Sequence, residues 1–255
     1  MKHILFSCML GIVLAGSAFA DQSAIEIAGQ QRMLTQRLVK AYAQIGLDIL
    51  PAAAGEQLAS SVSRFDRNLR ELGGLAKGKA SGPALVALNR AWPALERAAH
   101  AEVTPAGLRE LDQQAGKVQQ LADRLTLALE DESRAPASRW LNVAARQRML
   151  CQRLVKVYML QLSGIDSAQL REEAASSRAE FSNALNDLIR LPDNSDEVAD
   201  ALHELNLQWE WLDAALASEG AESFSLVIAD SSEAVLALSE KVVQAYLHQA
   251  RAAAK

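Results

Sequence analysis

Apolar residues recur at intervals of three, four and seven along most of the chain, the stripe that an amphipathic helix buries. No segment alternates in the β-branched manner of a strand. Alanine, leucine, glutamine, glutamate and arginine are abundant and proline and glycine sparse, which favours helix throughout. Breakers divide this pattern at Pro51, Gly73-Gly74, Lys77 to Pro83 and Thr104-Pro105, where a threonine N-cap precedes proline at the first helical position. Ser133 to Pro136 separates two halves, and further breaks fall at Gly164 to Ser167, Pro192 to Ser195 and around Gly220. Four helices per half follow, each about 20–30 residues long. Pro93, directly after Trp92, should kink or restart its helix.

The two halves carry the same pattern. QRMLTQRLVK at Gln31–Lys40 returns as QRMLCQRLVK at Gln147–Lys156, a shift of 116. At that shift Phe65, Leu69 and Leu72 fall on Phe181, Leu185 and Leu188. At 117, Trp92 and Leu95 fall on Trp209 and Leu212, and Val118 and Leu121 on Val235 and Leu238. A repeat this long predicts a duplicated domain rather than a solenoid of short units. The expected fold is all-α: two tandem antiparallel four-helix bundles over residues 21–133 and 134–255, with the matched tryptophans as core anchors.

The first twenty residues are expected to lie outside that fold. Lys2 and His3, the apolar run Ile4–Leu14 and Ala18-Phe19-Ala20 before Asp21 read as a cleavable secretory signal. The cysteine at Cys8 offers a lipoprotein-type alternative. No other apolar stretch nears the ~18 residues that span a bilayer. The expected product is periplasmic and not membrane-spanning. Its remaining cysteine, Cys151, leaves no internal disulfide and reads as a buried small residue, with a reactive thiol as the alternative.

A net charge of −5 provides no global field for nucleic acid. The histidines lack ligand spacing, so no metal site is predicted, and there is no phosphate loop or nucleophile elbow. Without an acid–base or nucleophile–base set, the chain does not read as an enzyme, and no cofactor is expected. The informative charge is local. Between Glu26 and Asp48 stand Arg32, Arg37 and Lys40 with no acid; between Glu132 and Asp166 stand six cations with none. A helix shaped only for solubility would interleave acids four residues away. Acids on other helices, such as Asp66, Glu71, Asp112 and Glu180, could neutralise Arg37, Lys40 and their counterparts Arg153 and Lys156. That account suits Arg32 and Arg148 less well. They adjoin the apolar stripe, and a partly buried guanidinium wants a fixed anion. Its forked donors suit planar oxyanions, and Gln36 or Gln152, one turn on, can add a neutral donor.

Ala28 to Arg37 (AGQQRMLTQR) resembles the helix-1 signature of PilJ/NarX-type sensor domains, the exported input modules of type IV pilus chemotaxis transducers and nitrate/nitrite sensor kinases. Val143 to Arg153 (VAARQRMLCQR) is similar to it again. The resemblance implies an antiparallel four-helix bundle that dimerises, with the first motif arginine of each partner gripping one nitrate between the first helices. Those arginines would here be Arg32 and Arg148, with Arg37 and Arg153 secondary. One chain would then supply both halves of the site as a pseudo-dimer, with a homodimer also open. Ala145 stands where the first copy has Gly29, a difference at the position where backbone would approach the ligand. The chain is expected to lack the transmembrane, relay and output modules of the family's receptors. The expected function is an exported binding or sensing protein for a small inorganic oxyanion, nitrate or nitrite first. The alternative is a ligand-free protein that docks onto a related membrane chemoreceptor or sensor kinase.

Overall fold

The computed structural model describes residues 5–133, 138–218 and 221–253. They form eight α-helices with no strand among them: α1 Leu5–Gly46, α2 Pro51–Leu75, α3 Ser81–Ala99, α4 Pro105–Glu132, α5 Ser138–Leu162, α6 Ala168–Ile189, α7 Asp196–Ala217 and α8 Ser225–Ala253. A short 310 turn, Ala221–Phe224, leads into α8. The all-helical expectation holds. Cys8 and the proposed leader carry no described side chains, and Arg134, Pro136 and Gly220 lie outside the described residues. From Leu5 onward, however, the leader segment is helical and continuous with α1. Among the described residues no helix is long and apolar enough to cross a membrane.

Most starts and stops are local chemistry. Thr104, Ser167 and Ser195 each accept a hydrogen bond from a backbone N–H three residues on, which satisfies one orphan donor of the helix start. Pro51 and Pro105 occupy the first helical position, where a missing N–H costs nothing. Two expectations need correction. α2 continues through Gly73 and Gly74 to Leu75, and the turn falls at Ala76–Ala80. α3 runs through Pro93 without restarting, carried by the burial of Trp92 and Leu95 on either side.

The turns after α1 and α5 begin with the same cap. Asp48 (φ +57°) and Gly164 (φ +75°), 116 residues apart, both take the left-handed conformation. The next residue's N–H, from Ile49 or Ile165, donates to the carbonyl of Gln44 or Leu160, each at 2.9 Å. This is a Schellman cap, and a side chain there is strained. Asp48→Gly is expected to raise unfolding free energy by about 0.5–1 kcal/mol, and Gly164→Ala to lower it by about 1 kcal/mol, as read by urea denaturation.

In each half the helices close a ring: α1–α2–α3–α4 and α5–α6–α7–α8. Phe65 stacks on Trp92 with centroids 4.0 Å apart, and Phe181 on Trp209 at 3.9 Å. Both tryptophans are buried, as expected of core anchors, and each indole N–H donates to a neighbour, Asp66 or Ser182. The rings are joined through α1 and α5, which pack along each other extensively. Each of these two helices therefore has neighbours on every side. Instead of showing one buried stripe, α1 from Ala24 to Gln44 is buried nearly all round, its polar residues included.

Candidate functional site: a buried arginine pair between the bundles

α1 and α5 approach closely at Gly29. A Cβ placed there would stand 3.2 Å from the Ala145 Cβ, so a glycine on one helix faces an alanine on the other. The same point lies 3.5 Å from Arg32 Nη2 and 3.6 Å from Arg148 Nη2, which caps the separation of those two nitrogens at about 7 Å. Both arginines are fully buried. The fold thus brings together Gly29, Ala145, Arg32 and Arg148.

Their surroundings follow an approximate two-fold pattern. Arg32 Nη1 donates to Asp123 on α4, in its own bundle (3.1 Å), and Nη2 to Asn142 on α5, in the other (2.7 Å). Arg148 Nη1 donates to Glu240 on α8, in its own bundle (2.6 Å), and to Glu26 on α1, in the other (3.1 Å). Asp123 and Glu240 are 117 residues apart, and Glu26 and Asn142 are 116 apart. The spacing of apolar positions carries no signal for these partners, which only the packing of α4, α8 and α1 brings to the arginines. Acid neutralisation, which seemed least suited to Arg32 and Arg148, therefore does reach both.

The pattern departs from symmetry at one charge. Arg148 meets two carboxylates; Arg32 meets one and a neutral amide, because Asn142 stands where the other half has Glu26. Burial lowers the pKa of Arg148, but Glu240 and Glu26 outweigh it and the net shift is upward. Burial pushes Arg32 down to about 10; Asp123 offsets only part of this, and nearby Arg146 and Arg148 push the same way. Asp123 also accepts from Arg146 (3.2 Å), which divides its charge between two cations. Arg32 is still protonated at neutral pH, but it is the under-compensated member of the pair. Two nitrogens, Arg32 Nε and Arg148 Nη2, are buried without a hydrogen-bond partner among the described residues.

The other candidate residues lie elsewhere. Gln36 donates to Gln119 on α4 (3.3 Å) and Gln152 to the Ser232 carbonyl on α8 (3.4 Å), so each turns into its own bundle and away from the arginine pair. Arg37 and Lys40 share Glu233, an acid on α8 of the opposite bundle. Lys156 reaches Asp112 on α4 of the opposite bundle (3.4 Å) and Glu173 on α6 (2.8 Å), and Arg153 approaches Glu173 at 3.6 Å. The cations of these two motifs are thus neutralised from neighbouring helices, half of their ion pairs crossing the bundle boundary. Lys40 and Lys156 hold α1 to α8 and α5 to α4. Cys151 is fully buried, with burial raising its thiol to about 12, which suits the small-residue reading and not a reactive thiolate. Among the described residues no group of histidine, cysteine or acid side chains could hold a metal.

Residues 14–126 match the model of the PilJ family, described as type IV pili methyl-accepting chemotaxis transducer N-term. The matched stretch, somewhat under half of the chain, is similar to a PilJ-type domain. The match spans most of α1 and carries through α2 and α3 to the greater part of α4, and it includes Gly29 and Arg32. No curated protein and no solved structure matches the chain. The PilJ family is one of sensory and signalling domains, so the match points to a sensor-type domain over residues 14–126.

Proposed function

We propose that the protein is an exported sensor module that holds one small oxyanion, nitrate or nitrite first, between Arg32 and Arg148. In this reading the chain is a duplicated PilJ-type bundle, divided near residue 134 and released by cleavage after Ala20. The shared caps after α1 and α5, the paired aromatic stacks and the matched arginine partners support the duplication. The observation that carries the ligand is the charge imbalance. Two fully buried guanidiniums converge on Gly29, and the one that lacks a second carboxylate has its pKa pushed down. A monovalent oxyanion supplies the missing charge and takes the forked donors in their own plane. Asp123 and Glu240 are each about one-third exposed above the buried arginines, so they can swing outward to admit it.

The test is titration calorimetry of the full chain with nitrate, nitrite and sulfate. Nitrate or nitrite should bind with roughly micromolar affinity, the range two charge-assisted contacts provide. Binding should vanish in Arg32→Lys, which keeps the charge but loses the fork, with helicity unchanged. Absence of heat with all three anions would remove the proposal.

A second reading, a ligand-free module that docks on a related membrane receptor or sensor kinase, is favoured by one observation. Leu207 and Trp211, one turn apart on α7, are about half exposed. At a shift of 117 the first half has Arg90 and Ala94 there. A surface that turned apolar in one half only suits a partner, and a silent anion titration favours this reading.

A further inference from the structure

A polar depression of about 320 Å³ lies between α1, α2 and α8, and neither Arg32 nor Arg148 lines it. Arg64 and Arg67, three residues apart on α2, share one wall, and Arg251 from the last turn of α8 stands on another. None of these three has an ion-pair or hydrogen-bond partner among the described residues, although ion pairs are common elsewhere in the molecule. Two acids reach the depression. Glu26 is already committed to Arg148, and Glu71 pairs with no cation among the described residues. Three unpaired guanidiniums thus face one free carboxylate. The floor is built from buried amides: Asn68 donates to Gln30 (3.1 Å), and Gln30 donates to Glu26. That chain ends on Arg148, through Glu26 Oε1 at 3.1 Å.

We infer that this groove binds a small di- or tricarboxylate, clamped by Arg64, Arg67 and Arg251. Guanidinium forks match carboxylates in two-point contact, and three of them on two walls require more than one carboxylate per ligand. A monovalent anion meets only exposed charges here, each contact worth little in water. The volume suits a molecule of about a dozen heavy atoms. The ligand would join α2 of the first bundle to α8 of the second. It would also touch the Asn68–Gln30–Glu26 relay, so its occupancy would be felt at Arg148.

Titration calorimetry of the full chain with citrate and succinate at low ionic strength tests this, with sulfate as the control. Citrate should bind more tightly than sulfate, and its affinity should fall at least about tenfold in Arg64→Ala/Arg67→Ala. These side chains are partly or fully exposed, so helicity should be unchanged. Citrate binding should survive Arg32→Lys, which separates the outcome from that of the oxyanion proposal. The inference is overturned if citrate gives no heat, if sulfate equals it, or if the double variant binds as tightly as the parent. A preference for an oligoglutamate peptide over citrate would also overturn it.

Discussion

Arg148→Met is expected to destabilise the folded chain by roughly 3–5 kcal/mol at neutral pH, measured by urea denaturation. The guanidinium is fully buried, with Glu240 at 2.6 Å and Glu26 at 3.1 Å. Its removal leaves two carboxylates near one another with no counter-charge. Adding Glu26→Gln and Glu240→Gln should recover much of the loss, because the cost lies in the stranded charges and not in the missing arginine. Arg37→Met is the contrast. Its side chain is partly exposed, and its partner Glu233 keeps Lys40, so the expected loss is near 1 kcal/mol. Equal losses at the two positions would mean that burial does not set the strength of these pairs.

Trp209→Ala should lower stability by a similar ~3–5 kcal/mol. The ring is buried, stacks on Phe181 at 3.9 Å and donates its N–H to Ser182 at 3.1 Å, so truncation opens a cavity and strands a hydroxyl. The form of the transition matters as much as its midpoint. α1 and α5 are each packed into both bundles' shared seam, with Lys40, Arg146 and Lys156 reaching acids across it. Damage in the second bundle should therefore pull down the first. Far-UV circular dichroism and tryptophan fluorescence should show one coincident transition. Two separated transitions would mean that each bundle folds on its own and that the seam contributes little.

The seam also gives the sensor-type reading its physical content. Residues 14–126 match the PilJ family, and the motif helix there lies against a second helix with a near-identical motif. An anion at Arg32 and Arg148, or a carboxylate ligand touching the relay through Glu26, would act where the two bundles meet. A change in charge there alters how α1 and α5 hold each other, and this crossing is the element whose two arrangements a sensor would need.

The sequence by itself determined the all-helical class, the eight helices and the Thr104 cap, and it carries the shift at which the two halves match. These properties are local or periodic: apolar spacing, threonine and proline at a helix start, and a shift of 116 or 117 that matches Phe65 with Phe181 and Trp92 with Trp209. It also singled out Arg32 and Arg148, through their place beside the apolar stripe and the resemblance of the repeated motif to a sensor-domain signature. It placed the end of α2 too early, at Gly73-Gly74, and allowed a restart at Pro93 where the helix runs on, because tertiary burial outweighs a local breaker. Only the tertiary structure decided that α1 is buried on all sides and that Gln36 and Gln152 turn away from the arginines. It alone supplied the counter-charges, Asp123 on α4, Glu240 on α8 and Glu26 on α1. A charge's partner depends on which helix lies opposite, and residues 91 to 122 positions apart become neighbours only when the bundles close.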